Sequence, residues 1–111
     1  MKTAIVINNE SFGKGDNELG IRLMGAFLRK LWASDALPDI IICYNSGVKL
    51  LADGSSVLDA LEGLSVKGVE IIGCGTCIDH FHIGDSIRVG RKSDMAEIVS
   101  IMMSYNKVIT V

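Results

Sequence analysis

Two cysteines three positions apart are the residues of this sequence best suited to chemistry: Cys74 and Cys77, in the segment Cys74-Gly75-Thr76-Cys77. The pair follows an apolar run that predicts a buried strand and precedes the predicted start of a helix. Free backbone N–H groups and the helix dipole stabilise a thiolate at such a place and lower its pKa. Cys74 is the candidate nucleophile, and Cys77 would resolve its product or close a disulfide with it. The alternative is that both are small apolar core residues.

The neighbouring residues have simpler interpretations. Gly75 lets a ligand approach the backbone closely, and Thr76 caps the turn or donates a hydrogen bond. Cys43 lies inside an apolar run, which indicates a core residue. Three cysteines among 111 residues are an odd and small number, so we expect a reducing, cytoplasmic location.

Two histidines follow the cysteines, at His80 and His82. The order C-x2-C-x2-H-x-H is a poor zinc site, because histidines two residues apart point to different sides of a short helix. Ile78 stands where a c-type haem motif needs a histidine. We therefore expect no metal and no other cofactor. His80, three positions after Cys77, is a candidate for tuning the thiols.

Composition excludes several classes of function. Apolar residues make up 49% of the chain and charged residues 22%, which indicates a folded domain. The net charge of −2 disfavours nucleic acid as a partner, and 5% aromatic residues are few for stacking bases. No apolar stretch approaches the ~18 residues that a membrane span needs, so no membrane partner is expected. The apolar run of residues 4–7 is also too short for a signal peptide.

Apolar runs of strand length alternate with helical patterns along the chain, which predicts an α/β fold. We expect a single domain over residues 1–111, a three-layer α/β/α sandwich with a mainly parallel five-stranded sheet. The predicted strands are Lys2–Asn8, Asp39–Tyr44, Val69–Gly73, Lys107–Val111 and a weaker edge strand at Ser86–Val89.

Capping residues mark the ends of the predicted helices. The expected N-caps are Asp16 or Asn17, then Ser55 or Ser56, and finally Ser93; a short helix starts near Cys74, and Gly68 ends the second helix. Apolar residues at helical spacing predict the buried faces. They are Leu19, Leu23, Met24, Phe27, Leu28, Leu31 and Trp32 in the first helix, and Met95, Ile98, Val99 and Met102 in the last.

In open parallel sheets, ligands bind beyond the carboxyl ends of the strands. Polar and glycine residues follow these ends here. The last such segment, residues 90–93, follows the predicted fourth strand and contains two basic residues. The loop Gly13-Lys14-Gly15 lacks the third glycine of a dinucleotide fingerprint, because position 18 is Glu18; a flexible turn or a weak anion cradle remains. The candidate substrate-binding residues are Asn8, Gly13, Gly15, Asn45, Ser46, Gly75 and Thr76.

An ordered set of motifs over nearly the whole chain resembles the DsrE/DsrF-like sulfur-relay superfamily. More closely, it resembles the DsrE-like C-terminal domain of YedF-type sulfurtransferase-like selenium-metabolism proteins. The matching segments are Gly13-x-Gly15-Asp16-x-Glu18-Leu19-Gly20, Leu23-Met24-x-x-Phe27-Leu28, Tyr44-Asn45-Ser46-Gly47-Val48-Lys49-Leu50, Gly54-Ser55, Gly68-Val69-Glu70-Ile71, Cys74-Gly75-Thr76-Cys77, Val89-Gly90 and Met95-x-x-Ile98.

This resemblance implies a DsrE-like three-layer fold, a homo-oligomer, and a persulfide on the cysteine at the position of Cys74. It also implies persulfide donor and acceptor partners of the TusA-like kind. There are two departures from the family pattern. The chain starts directly at its first strand, without the TusA-like domain of YedF-type proteins, and His82 replaces the family's glycine after the cysteine helix.

Three functions follow as hypotheses. The first is a sulfur carrier or sulfurtransferase-like protein that relays sulfur or selenium through a cysteine persulfide, with Asn8, Asn45 and backbone N–H groups stabilising the thiolate. The second is an oligomeric binding or scaffold module without turnover, whose cysteines are redox-sensitive packing residues. The third is a thiol–disulfide oxidoreductase, which shares the C-x-x-C pattern but lacks thioredoxin's sequence surroundings.

Overall fold

Five parallel strands form one sheet, in the order β4-β3-β2-β1-β5. A computed structural model describes all 111 residues. The strands are β1 (Thr3–Ile7), β2 (Ile40–Cys43), β3 (Glu70–Cys74), β4 (Arg91–Ser93) and β5 (Lys107–Thr110). The helices are α1 (Asn17–Ala33), α2 (Leu58–Val66), α3 (Gly75–His80) and α4 (Met95–Ser104), with 3-10 helices at Asn45–Leu51 and Gly84–Ser86.

The central strands are apolar on both faces because helices cover both. Successive strand side chains point to opposite faces. Ile5 and Ile7 of β1 join a cluster of 17 buried residues that includes residues of α1 and α2. Ala4 and Val6 join a second cluster of eight, which includes residues of α4. The expected three-layer sandwich is confirmed. We call its two sides the two-helix face, under α1 and α2, and the one-helix face, under α4.

The turns that begin and end the first two helices agree only partly with the predicted caps. Asp16 caps α1, and its carboxylate accepts a hydrogen bond from the Leu19 N–H at 2.8 Å. Gly68 follows α2 with a φ of +98°, the left-handed conformation expected of a terminating glycine. The cap predicted at Ser55 or Ser56 is wrong, because α2 begins after residue 57 and no side chain caps it.

The fourth strand lies a few residues later than predicted. Ser86–Val89 makes only one antiparallel bridge, at Ile87, and Gly90 then turns the chain with a φ of +80°. β4 itself is the polar segment Arg91–Ser93, expected instead to follow a strand. An edge strand of this kind need not be apolar, since one of its sides faces solvent. Asp94, not Ser93, then caps α4 and accepts from the Glu97 N–H at 2.9 Å.

The last helix buries less of its apolar surface than predicted. Ile98 and Ile101 are buried, but Met95 and Val99, both expected to face inward, are 53% and 50% exposed. Met103, one turn further, is 83% exposed. The first turns of α1 show a smaller deviation of the same kind, since the predicted core residues Leu19 and Leu23 are also exposed.

Candidate functional site

The chain crosses tightly over the carboxyl ends of β1 and β2. After β2 it turns at Asn45, a non-glycine residue in the left-handed region with φ +51°, and enters the 3-10 helix Asn45–Leu51. Gly47 packs so closely there that a Cβ atom would lie 2.3 Å from the carbonyl oxygen of Ile7. A glycine is therefore required at position 47. This packing holds the backbone of residue 45 above the end of β3, where the cysteine pair lies.

The two cysteines of the pair differ in access. Cys74 ends β3, occupies the N-cap position of α3 and is only 2% exposed, within the buried cluster of the one-helix face. Cys77 lies in the middle of α3 and is partly exposed. The Asn45 N–H donates a hydrogen bond to its Sγ at 3.1 Å, and Cys77 packs against the cluster that contains Cys74. Cys77 is therefore the thiol of the pair that an external partner can reach.

A small hollow opens on this thiol. Its volume is about 250 Å³, and its lining residues are Asn45, Thr76, Cys77, His80 and Phe81. The wall and floor are mostly apolar, with the backbone N–H of residue 45 pointing at the sulfur. The hollow is large enough for a cysteine side chain or a small sulfur compound and leaves the Sγ atom approachable from outside.

The expected lowering of a thiol pKa is not found at Cys77. Burial raises the pKa of the Cys77 thiol above its ordinary value of 9.0, the Asn45 N–H lowers it, and the neighbouring Cys74 thiol raises it again. The balance favours the neutral thiol at pH 7. The Asn45 N–H, the one contact that lowers this pKa, does not outweigh the burial and the neighbouring thiol.

Cys43 is the core residue that the sequence indicates. It ends β2, is fully enclosed in the cluster of the two-helix face, and burial raises its pKa to about 12. In the sheet register Cys43 pairs with Gly73 of β3, the residue just before Cys74. The two side chains nevertheless point to opposite faces.

The predicted substrate-binding residues are brought together only in part. Asn45 and Thr76 line the hollow, next to Cys77. Gly75 adjoins it but is required by packing, since a Cβ atom there would lie 2.7 Å from the carbonyl oxygen of Ser93.

The remaining predicted residues lie away from the hollow. Ser46 donates through its hydroxyl to Asn9, in a bond of 3.0 Å that ties the two loops together. Asn8 follows β1, half-buried, and does not line the hollow. Gly13 and Gly15 occupy an exposed loop, with φ values of +83° and +148° that suit glycine.

Two residues of the site have no place in the sequence prediction. Phe81 forms a wall of the hollow one helical turn after Cys77, a spacing from which it could have been found. Lys49 places its Nζ atom 4.5 Å from the centre of the Phe81 ring, a cation–π contact that holds the ring and brings a positive charge near the site. Nothing in the local sequence points to the lysine, because its position depends on the path of the 3-10 helix.

His82 adopts the left-handed backbone conformation that glycine accepts most readily. Its φ is +55°, and it follows the last turn of α3. The His82 N–H donates to the Asp79 carbonyl, and the Ile83 N–H donates to that of Ile78, the two bonds of a Schellman turn. A non-glycine residue thus forms this turn, at the cost of backbone strain. The chain nowhere gathers three or more metal-ligating side chains, histidines included.

No family model matches the chain, and no curated protein matches it either. Solved structures, however, share its fold. The ychN protein from E. coli is 22% identical, with 99% of this chain and 98% of that one covered and a TM-score of 0.69. MTH1491 from Methanobacterium thermoautotrophicum, of unknown function, is 19% identical over 99% and 98%, with a TM-score of 0.73. BT1422 from Bacteroides thetaiotaomicron, a conserved protein of unknown function, is 15% identical over 97% and 94%, at 0.65.

These likenesses show the fold and not the activity, since unrelated activities share folds. The five-stranded parallel sheet with flanking helices is the DsrE-like architecture that the resemblance implied. None of the helices is both long and apolar enough to span a membrane.

Proposed function

We propose that this protein is a sulfur carrier that holds a sulfane sulfur as a persulfide on Cys77 and passes it to an acceptor thiol. The observation that carries the proposal is the access of Cys77, which lines an open hollow and accepts a hydrogen bond from the Asn45 N–H. The role assigned from the sequence to Cys74 passes to Cys77 in this proposal, because a donor cannot reach a side chain that is 2% exposed.

The transfer chemistry balances without an added oxidant. The Cys77 thiolate attacks the outer sulfur of a donor persulfide, R–S–SH, forming Cys77–S–SH and releasing the donor as R–SH. An acceptor thiolate then attacks the outer sulfur of Cys77–S–SH and regenerates the Cys77 thiol. The Asn45 N–H, 3.1 Å from Sγ, stabilises the negative charge that returns to this atom as the sulfur leaves.

The finer assignment rests on the sequence resemblance. Membership of the DsrE-like superfamily, a YedF-type role with selenium in place of sulfur, and TusA-like proteins as donor or acceptor all belong to the proposal. The cytoplasm, where thiols stay reduced, is the location in which three free cysteines fit such a carrier. The hollow supports a protein-borne cysteine as the incoming group, since its mostly apolar wall suits a side chain better than a hydrated ion.

Intact-mass measurement tests the carrier. The reduced protein is incubated with glutathione persulfide, freed of excess donor and weighed at once. We expect the wild type to gain one sulfur, the Cys77→Ser variant to gain none and the Cys43→Ala variant to match the wild type. Equal loading of wild type and Cys77→Ser, or no loading of either, would overturn the proposal.

We also propose that the chain forms a homo-oligomer through α4. Met95, Val99 and Met103 form an exposed apolar stripe with one residue per turn, and no charged side chain interrupts it. The stripe is symmetric about Val99. An antiparallel second copy would therefore place Met95 of one helix against Met103 of the other, as a two-fold interface requires.

Native mass by light scattering tests this interface. The Val99→Asp variant should dissociate to the monomer, because a buried charge without a partner is costly. Val66→Asp is the matched control, since Val66 is 88% exposed on α2, away from the stripe. A wild type that is monomeric, or a Val99→Asp variant that stays assembled, would contradict the proposal.

The scaffold without turnover is the second candidate function. The raised pKa of Cys77 favours it, since a neutral thiol is a poor nucleophile, and the α4 stripe suits an assembly protein. An assembled protein that never gains sulfur would support it over the carrier. Reversible cycling of the Cys74–Cys77 pair with a protein dithiol, without sulfur loading, would instead support the oxidoreductase.

A further inference from the structure

The buried member of the cysteine pair has a single reaction partner. Cys74 is 2% exposed, and its contacts are apolar residues of the one-helix face. Cys77, three residues further along the chain, packs against this cluster from the end of the sheet. A thiol so enclosed cannot receive sulfur from a donor or deliver it to an acceptor. It can react only with the sulfur of Cys77, or with what that sulfur carries.

We propose that this protein has a further activity: Cys74 releases the sulfane sulfur from Cys77 as sulfide and forms a disulfide with Cys77. The inference rests on the proposed function, because it needs a persulfide on Cys77. Each loaded chain then releases one sulfide, and it can be loaded again only after a reducing thiol has cleaved the Cys74–Cys77 disulfide.

The reaction is Cys77–S–SH + Cys74–SH → Cys77–S–S–Cys74 + H₂S. The bond between Cys77 Sγ and the outer sulfur breaks, and a bond between the two cysteine sulfurs forms. Each cysteine sulfur becomes part of a disulfide, while the outer sulfur takes the electron pair and the two protons and leaves as sulfide. A small dithiol then reduces the disulfide and restores both thiols.

The site favours attack on the inner sulfur of the persulfide. Cys77 lines the hollow, whereas Cys74 does not and lies in the buried cluster against which Cys77 packs, so we infer that the Cys74 thiol approaches Cys77 Sγ from the protein interior. The outer sulfur occupies the hollow, from which sulfide escapes to solvent. An acceptor thiol enters from the opposite side and attacks the outer sulfur. Transfer and release therefore compete for the same persulfide from two directions.

Sulfide release after loading tests the inference. The protein is loaded with glutathione persulfide, desalted, and followed by intact mass and by a sulfide-selective fluorescent probe. We expect the wild type to release one sulfide per chain and to end as a disulfide, two hydrogens lighter than the reduced protein. Cys74→Ser and Cys74→Ala should keep the persulfide for about tenfold longer or more, because the internal nucleophile is gone. Cys43→Ala should behave as the wild type.

The outcomes separate the two proposals. If neither the wild type nor the Cys74 variants gain sulfur on Cys77, and no sulfide is released, the proposed function fails and the inference fails with it. If the wild type gains sulfur and keeps it as long as both Cys74 variants do, the carrier stands and the release is overturned. Two Cys74 substitutions are included because a serine hydroxyl in an apolar cluster lowers stability more than an alanine.

Discussion

The two faces of the sheet are covered unequally. On the two-helix face, 17 buried residues form one cluster beneath α1 and α2. On the one-helix face, eight buried residues lie beneath α4, and the adjoining surface of that helix exposes apolar side chains. The two-helix face, called the closed face below, supplies most of the buried apolar residues that stabilise the fold. The one-helix face, called the open face below, holds Cys74 and the apolar stripe, the features to which the proposals assign partners and chemistry.

The cysteines follow this difference. Cys43 belongs to the closed face, Cys74 to the open face, and Cys77 contacts both clusters where the sheet ends. Burial on either face shields a thiol from reagents in solution, so reaction with external partners is confined to the end of the sheet. The comparison therefore predicts how thiol chemistry, packing and surface charge differ from place to place.

The largest expected effect is in the alkylation of the native protein. Iodoacetamide should modify Cys77 directly, whereas Cys43 reacts only after unfolding, so their rates should differ by about a thousandfold or more. Peptide mass mapping over a time course measures both rates in one sample. Similar rates at the two sites would show that the closed face opens readily, and would contradict the claim that burial protects Cys43.

Adjacent residues of β2 provide a matched test of packing. Ile41 faces the two-helix cluster and Ile42 the one-helix cluster, and both are fully buried. We expect Ile41→Ala to lower the free energy of unfolding by about 4 kcal/mol and Ile42→Ala by about 2–3 kcal/mol, since a less enclosed site collapses more easily around a cavity. Denaturant titration measures the difference. An equal or larger cost at Ile42 would indicate that the open face is packed as tightly as the other.

The pH dependence of Cys77 sharpens the contrast with an ordinary exposed thiol. Because burial and the Cys74 thiol raise its pKa, the alkylation rate should climb about tenfold per pH unit near neutrality and keep rising beyond pH 9.0. Cys74→Ala removes one cause of the shift, so its rate profile should move to lower pH. A rate that levels off below pH 8 would show an activated thiolate instead. Rates at single pH values follow from iodoacetamide mapping in buffers of constant ionic strength.

The sequence predicted the fold better than the site for a physical reason. Periodicity and caps are local signals, and they sufficed for four strands and for the start of α1 at Asp16. β4 was misplaced because an edge strand can be polar, as Arg91–Ser93 is. The exposed side of α4 was assigned to the core because apolar residues at helical spacing give the same sequence pattern on a buried face and on an exposed apolar face.

The site depends on contacts between distant segments. The Cys74–Cys77 pair was visible as a motif, but the path of residues 45–51 decides which thiol is accessible and which N–H reaches it. The pKa of Cys77 is raised because burial by neighbouring segments outweighs the hydrogen bond from the Asn45 N–H, and neither contact can be read from the local sequence. His82 is a local case of the same limit, since surrounding packing holds it in the left-handed region.

The smallest expected effect concerns the polar contacts that join α4 to β4 on the open face. Glu97 of α4 pairs with Arg91 of β4 at 2.6 Å and accepts a hydrogen bond from the Ser93 hydroxyl, and these contacts lower its pKa from 4.5 to about 2. A lowered folded-state pKa stabilises the fold above pH 4.5, and this contribution is lost as the pH falls toward 2. Since Arg91 is about half exposed, we expect Glu97→Gln to cost only about 0.5–1 kcal/mol at pH 7.

The cost should shrink steadily below pH 4.5 and become small near pH 2, where half of the wild-type carboxylate is protonated. Denaturant titrations at several pH values measure it. Asp59→Asn is the matched control, because Asp59 forms a similarly exposed pair with Arg29, 3.1 Å apart, between the helices of the closed face. It should cost less than Glu97→Gln, since 17 buried residues already hold those helices and only eight hold α4. A larger cost for Asp59→Asn would contradict this expectation. It would mean that the Glu97–Arg91 pair contributes less to stability than the pair on the closed face, and that other contacts hold α4 against the sheet.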